Sequence, residues 1–372
     1  MNKHIAIAAA AVLAGCASSA MAQGNVALFG IVDLYAESAR ISGTGSVSKV
    51  SNGGLSPSRW GLSGAEDLGG GLKAAFVLES GFAPDTGTSL QGGRLFGRQA
   101  FVSLASTRLG EIRLGRQYAP MHYSMAGSDV EGFAAFSPVL AMYLSGDQGR
   151  QDNQLSYWTP VFGGVSAAVA VALGERGAVA PVASAVWVPA AGTARNSAGA
   201  LLRYQAGAVH ASLAYHQGGQ ALAAGDARQR AFNLGLAYQA GTFVASGNFW
   251  EHRNELPGAG TTPRTRGAAI GARVPLGAWS ITGQLGYVED NGRAYATGAA
   301  KADGRTTFLN VGANYAVSRR TDVYVRYVRV EDDDGGFNGR ATAALNGLFG
   351  PGNALSAGGS ASTLAAGVRH LF

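Results

Sequence analysis

Cysteine is almost missing from this sequence: 372 residues contain one, Cys16. A lone thiol cannot close an intramolecular disulfide, so a small stapled secreted scaffold is excluded. Charge is scarce as well, at 14% Asp, Glu, Lys and Arg where soluble domains carry about 25%. Long apolar runs are lacking too. The longest uncharged stretch, 177–194, is broken by Pro181 and Pro189 and is mostly Ala, Gly and Val. A spanning helix needs about 20 predominantly apolar residues in a row, so a helical membrane protein is excluded. The Gly-rich runs do not lead from strand into helix, which removes a dinucleotide site.

What is present is glycine, 56 residues of it, with hydrophobic side chains scattered at alternate positions. That combination suits a β-barrel in lipid. Lys and Arg exceed Asp and Glu by 29 to 23, a net charge of +6. The arginines are spread singly along strands instead of clustering with aromatics, so no nucleic-acid partner is expected. A pore lining that favours anions accounts for the excess, with solvated loop charge as the plain alternative.

Residues 1–22 read as a secretory signal: Lys3 and His4, an apolar core over 5–14, then Ala20-Met21-Ala22 before Gln23. Leu13-Ala14-Gly15-Cys16 competes with that site, because it matches the signal of bacterial lipoproteins, in which Cys16 becomes the lipidated first residue. Cleavage after Ala22 leaves one mature domain, 23–372, without cysteine.

From Asn25 the period is two. Val26, Leu28, Gly30, Val32 and Leu34 share one face; Phe29, Asp33, Tyr35 and Glu37 share the other. One face therefore meets lipid or core and the other water. The Gly- and Ser-rich stretch 38–56 reads as a loop. Arg59 to Gly64, the turn 66–71 and 72–82 form a hairpin, with Lys73 and Glu79 on its polar face. Short turns at one rim and long loops at the other are expected of outer-membrane barrels. Strands at 95–104 and 111–118 follow. After them the sequence pairs 153–159 with 165–173, 198–205 with 209–217, 229–239 with 242–252, 266–274 with 279–290 and 306–316 with 321–331. A last strand covers 362–372. The total is 16, an even number, as bacterial single-chain barrels require. Val182 to Val188 could add a strand-like piece. Aromatics beside the turns, among them Tyr157, Trp158, Tyr204, Tyr238, Trp250 and Trp279, are expected to form interfacial girdles.

The chain is organised around 95–150. Between its second strand and Arg150, residues 119–149 show no clean period and carry Asp129 and Glu131 at their centre. Loops that long are functional or disordered. This one is expected to fold into the barrel mouth and narrow it, its acids facing wall arginines.

Several blocks together resemble the general porins of Gram-negative bacteria, especially the β-proteobacterial branch. They are Asn25-Val26-Ala27-Leu28-Phe29-Gly30-Ile31-Val32-Asp33, Ser58-Arg59-Trp60-Gly61-Leu62-Ser63-Gly64 and Glu66-Asp67-Leu68-Gly69-Gly70-Gly71-Leu72-Lys73. Leu78-Glu79-Ser80-Gly81-Phe82, Arg94-Leu95-Phe96-Gly97-Arg98-Gln99-Ala100, Leu114-Gly115-Arg116-Gln117-Tyr118 and the terminal Gly367-Val368-Arg369-His370-Leu371-Phe372 continue the series. The match is dense to about residue 164 and thins to alternation between 170 and 300. The resemblance implies an all-β, 16-stranded antiparallel transmembrane barrel in the outer membrane, assembled as a homotrimer. It implies a water-filled pore for small hydrophilic solutes, narrowed by an inward third loop. Arg59, Arg98 and Arg150 match the family's constriction arginines, and Asp129 and Glu131 its loop acids. Glu131 matches less closely, because the usual Pro-Glu-Phe-Gly reads Val130-Glu131-Gly132-Phe133 here.

Parity adds a check. Phe101 is the better lipid residue, so Gln99, Phe101 and Ser103 take the outward face and Arg98 points inward. Arg59, Arg203, Arg273 and Arg326 likewise oppose apolar neighbours. Outward arginine at the midplane costs about 2–4 kcal/mol, which favours the lumen. Arg116 falls on the outward row with Ile112 and Leu114 and is assigned to a trimer contact.

Other classes are weaker. His210-Ala211-Ser212 has the His-x-Ser spacing of the outer-membrane phospholipase, but that enzyme needs the pair facing lipid, whereas Val209, Ala211 and Leu213 take the apolar face here. No enzyme is expected, and a substrate-specific channel is the nearer alternative. No cofactor is expected; the acidic run Glu331-Asp332-Asp333-Asp334 is a candidate for loop calcium or bridged lipopolysaccharide phosphate. Outer-membrane lipid and lipopolysaccharide are expected partners, and Phe372 resembles the signal read by the barrel-assembly machinery.

Overall fold

The computed structural model describes residues 26–141, 149–174, 193–222, 224–293, 300, 303–333 and 358–372. The leader, the strand-like piece at 182–188 and Asp334 lie outside the described residues. Seventeen long β-segments carry the fold. They are β1 (Ala27–Ile41), β2 (Gly45–Asn52), β3 (Arg59–Gly69), β4 (Leu72–Ala83), β5 (Gln99–Ser106), β6 (Gly110–Tyr118), β7 (Arg150–Trp158), β8 (Val165–Ala172) and β9 (Ser197–Ala206). The rest are β10 (Val209–Leu222), β11 (Gly225–Ala240), β12 (Phe243–Glu255), β13 (Arg264–Leu276), β14 (Trp279–Asp290), β15 (Arg305–Ala316), β16 (Thr321–Asp332) and β17 (Gly359–Leu371).

The long segments pair antiparallel with their neighbours, and β1 closes the ring on β17 with Ile31 opposite Leu371 and Ile41 opposite Ala361. Both β2 and β3 pair with β1, one with its second half and one with its first. They occupy one position interrupted at 53–58, so the barrel has the 16 strand positions expected. The break is stitched by Asp33, whose Oδ2 accepts from the amides of Leu55 and Ser56 at 2.7 and 2.8 Å and whose Oδ1 accepts from the Tyr324 hydroxyl at 2.5 Å. A barrel of this kind leaves no open edge, so its backbone polar groups are satisfied by neighbours.

Two expectations need correction here. The stretch 38–56 is not a loop, because β1 runs on to Ile41 and returns as β2. Its Ser- and Gly-rich strands rise above the apolar band, where no lipid demands an oily alternate row. Phe101 does not face outward. Val102 and Leu104 are the exposed pair, while Ser103 is buried in the lumen and Phe101 lies under the Arg113 guanidinium at 5.4 Å. Arg98 still reaches the lumen because it precedes β5, where strand parity does not apply.

Elsewhere the outward row is the expected one: Leu28, Leu114, Val169, Leu213, Ile270 and Val325 are all exposed. Tyr157, Tyr204, Tyr238 and Trp279 stand exposed near strand ends, as girdle residues should. Trp250 and Trp158 are corrections, since Trp250 is fully buried beside His252 and Trp158 packs against Tyr123 inside.

The buried apolar cluster sits inside the barrel, between the inserted loop and the wall. Met121, Met125, Phe133, Phe136 and Val139 of the loop meet Trp250, Val288, Phe308, Tyr324 and Val328 of the strands. Glycine makes that contact possible. A Cβ at Gly286 would stand 2.5 Å from Pro138, and one at Gly271 would stand 2.8 Å from Val130. The loop contains an eight-residue helix, α1 (Pro120–Gly127), and a single turn, α2 (Pro138–Ala141). Proline at the first helical position lacks only an amide hydrogen that has no partner there anyway. No helix among the described residues is long and apolar enough to cross a membrane.

Candidate functional site

Arg59, Arg98 and Arg150 line one cavity of about 590 Å³ at the inner wall, together with Glu79, Tyr118, His122 and Phe133. Three different stretches deliver the arginines: the start of β3, the turn before β5 and the start of β7. Arg98 is buried and oriented by two neighbours. Its Nε donates to Glu79 Oε1 at 2.5 Å and a terminal nitrogen donates to the Tyr118 hydroxyl at 2.7 Å. Arg150 lies 4.7 Å above the Tyr118 ring and donates to the same hydroxyl at 3.3 Å. Charge-assisted bonds of this kind fix a guanidinium in place. Among the described residues lining this cavity, Glu79 is the acidic side chain, and Arg98 engages it directly.

The loop reaches this cluster through His122, whose ring stacks on Tyr118 at 3.9 Å. Burial pushes the His122 pKa well below the usual histidine value, and the guanidinium groups of Arg150, Arg98 and Arg59 push in the same direction. A neutral imidazole therefore lies against the arginines at neutral pH.

The loop acids turn to the wall of β13, β14 and β16: Glu131 faces a wall arginine there, Arg326, and neither acid pairs with Arg59, Arg98 or Arg150. Asp129 is buried and accepts four bonds: from Ser137 Oγ at 2.7 Å, the Phe133 amide at 2.8 Å, the Glu131 amide at 3.1 Å and Gln284 Nε2 at 2.6 Å. Burial raises its pKa in spite of those donors. Glu131 forms a two-pronged pair with a terminal nitrogen of Arg326, at 3.1 and 3.2 Å. Both partners are almost fully buried. Arg273 donates to the Val130 carbonyl between them. Arg273 and Arg326, expected as lumen-facing basic residues, thus hold the loop tip.

The other end of the loop is held by hydroxyls and amides. Ser124 Oγ lies 2.8 Å from Ser212 Oγ and 2.6 Å from Asn233 Oδ1, and Asn248 Nδ2 donates to Ser128 Oγ at 2.6 Å. Ser212 is therefore part of the loop's anchorage, facing the lumen like His210 and His216. Arg203 is half-buried on the lumen row and donates to Ser166 Oγ at 3.3 Å. Lys73 is exposed near the short-turn rim, across from Asp67.

Arg116 lies on the outward row, where it donates to Asp152 at 2.6 Å and to the Gly97 carbonyl at 2.7 Å. Arg94 engages the same carboxylate at 2.8 Å. In the acidic run, Asp332 is buried and accepts from Thr306 Oγ1 at 3.2 Å. No cluster of three metal-ligating side chains occurs among the described residues.

Two participants escaped the sequence reading. Strand phase puts Glu79 on the polar face of its hairpin but does not show that it meets Arg98. Arg113 carries a phase signal as well, since its neighbours Ile112 and Leu114 take the outward row. It pairs with Glu111 at 2.7 Å and lies 4.7 Å over the Trp158 ring, below Tyr123 of α1.

Comparison with known proteins gives concordant results. The family model described as Gram-negative porin matches residues 8–335. Outer membrane porin protein 32 of Delftia acidovorans is 31% identical over 373 residues, covering 98% of each chain. An outer membrane porin protein of Bordetella pertussis is 29% identical over 359 residues, covering 85% of this chain and 91% of its own. The solved structure of an anion-selective porin from Comamonas acidovorans superposes with a TM-score of 0.78 at 25% identity, over 94% of this chain and all of the other.

Proposed function

This chain belongs to the Gram-negative porin family, and from that premise we propose that its pore is anion-selective because Arg59, Arg98 and Arg150 set the charge of the constriction. As an outer-membrane porin it is an integral β-barrel channel for small hydrophilic solutes, and not an enzyme.

The observation that carries the selectivity is the imbalance of side chains around one cavity: three guanidinium groups against one acidic side chain, Glu79, which Arg98 engages. Guanidinium stays charged at any working pH, so the excess is permanent. An anion entering the narrow section exchanges part of its hydration for oriented N–H donors, while a cation meets repulsion it cannot offset. The loop acids do not line this cavity: Glu131 is paired with Arg326, and Asp129 is buried against Ser137, Gln284 and two backbone amides. The resemblance of the fold to an anion-selective porin of Comamonas acidovorans supports the same reading.

The functional unit of this reading is a homotrimer. The outward Arg94–Asp152–Arg116 group supports a subunit contact there, because such charges have no place against lipid tails. Lipopolysaccharide around the barrel and recognition of terminal Phe372 by the assembly machinery complete the proposal. The deciding test is the zero-current potential of the purified protein in a planar bilayer under a salt gradient. Anion preference supports the assignment; clear cation preference overturns it.

A further inference from the structure

A second basic cavity, of about 370 Å³, lies on the other surface of the barrel, far from the pore. It is lined chiefly by Arg40, Arg329, Ser42, Thr44, Ser360 and Ser362. Strand register explains how these residues meet. Ser362 of β17 lies opposite Arg40 of β1 on one side and opposite Arg329 of β16 on the other. The two arginines thus flank one serine across two strand spacings, roughly 10 Å between backbones. Both guanidinium-bearing residues are exposed on the outward row. Among the described residues, Arg40 has no acidic partner. Arg329 gives its Nε to Glu331 at 2.8 Å, one row higher, and also engages the Tyr327 hydroxyl one row lower, which leaves part of its fork of donors for a ligand.

The height of this pair on the barrel matters. On β16 the outward row below Arg329 is Tyr327, Val325 and Val323; on β17 the row below Ser362 is Leu364, Ala366 and Val368. The arginines therefore stand directly above the apolar band, on the long-loop side, which in this family is the outer face of the membrane. Hydrocarbon ends and headgroups begin at that level. The Ser42 and Ser360 side chains approach at 3.3 Å beside the pair, and Ser362 stands between the two arginines with its hydroxyl available as a donor.

We propose that this cavity binds a phosphorylated headgroup of an outer-leaflet lipid, its phosphate bridged by Arg40 and Arg329 and hydrogen-bonded by Ser362. Two forked cations at one height match a tetrahedral anion held at a membrane surface, whereas a solute in transit never meets this wall. The proposal rests on the outer-membrane location of the barrel and not on the selectivity of its pore, so each can fail alone.

The test uses the full-length protein in neutral detergent, with a bis-phosphorylated glucosamine lipid as the probe and native mass spectrometry to count bound lipid. Its dephosphorylated form and inorganic phosphate serve as the other arms. Arg40→Gln with Arg329→Gln should weaken binding of the phosphorylated lipid about thirty-fold, each single change giving about half of that effect on a logarithmic scale. Arg253→Gln, which alters a rim arginine engaged by Glu251, should leave binding unchanged. Single-channel conductance recorded on the same samples should not move, which shows that the variants are folded. Equal binding by wild type and double variant overturns the proposal. So does equal binding of the dephosphorylated lipid, or displacement by inorganic phosphate at matched concentration, which would make the site one for free anions. Failure of the wild type to bind the phosphorylated lipid overturns it as well, and if the double change then weakens the trimer the cavity is a contact with a second copy.

Discussion

Glu79→Gln separates charge from geometry at the constriction. Glutamine keeps an oxygen in place to accept from Arg98 Nε, so the guanidinium, only 3% exposed, retains a partner. What disappears is one negative charge among three positive ones, and the local excess rises by one unit. An ion passing ~7 Å from that position feels a unit charge as ~0.6 kcal/mol in water-like surroundings and ~2.4 kcal/mol at an effective dielectric of about 20. At 0.1 M salt the Debye length of about 10 Å halves this, to roughly 0.3–1.2 kcal/mol. Because anion and cation respond in opposite senses, their permeability ratio should shift by roughly 3- to 50-fold toward the anion. The assay is the zero-current potential of wild type and variant in the same chloride salt gradient. An unchanged potential, or a shift toward cations, would refute the view that Glu79 tempers the arginine excess.

Glu131→Ala removes the partner of the fully buried Arg326, a change that costs about 3–5 kcal/mol where a buried charge is left alone. The loop tip should leave the wall, so single-channel conductance should rise and the thermal unfolding temperature fall; a stable variant of native conductance would contradict the clamp. His122 is neutral at pH 7 with its pKa depressed, so the unfolded chain takes up this proton first as pH falls below the ordinary histidine value of about 6.5. Its contribution to stability is complete above that pH and is lost as pH drops toward the depressed value. His122→Gln should remove that part of the acid sensitivity, and identical acid unfolding curves would refute it. Val102→Arg should destabilise the barrel by about 2–4 kcal/mol, and Phe101→Arg by much less, if the corrected parity of β5 holds; a larger loss for Phe101→Arg in denaturant titration would restore the original assignment.

The barrel was legible wherever a strand crosses the apolar band. β3, β4 and β14 have one oily row and one polar row, and little else could satisfy both solvents. The signal fails where that constraint lapses. Above the band, β2 carries Ser and Val on both rows, with no oily row set against a polar one, and reads as a loop. In β5 a lumen-facing Phe101 imitates a lipid residue because Arg113 and the inserted loop give an aromatic ring a place inside. The helix α1 escaped because loop and wall surround it, so its apolar positions lack the one-sided stripe that marks a surface helix. At the site, the arginines could be placed from strand phase and family blocks, but their partners could not. Which acid meets which arginine depends on how far 119–149 reaches across the lumen. Register alone does not reveal that Glu131 meets Arg326, almost two hundred residues later, while Arg98 meets Glu79 nearby.

The central claim is that three fixed guanidinium groups make the pore prefer anions. Replacing Arg59, Arg98 and Arg150 together by glutamine, and recording the zero-current potential before and after in one salt gradient, tests it most directly. The potential should collapse toward zero or change sign while the channel stays open. A triple variant that conducts with the anion preference of the wild type would contradict the account.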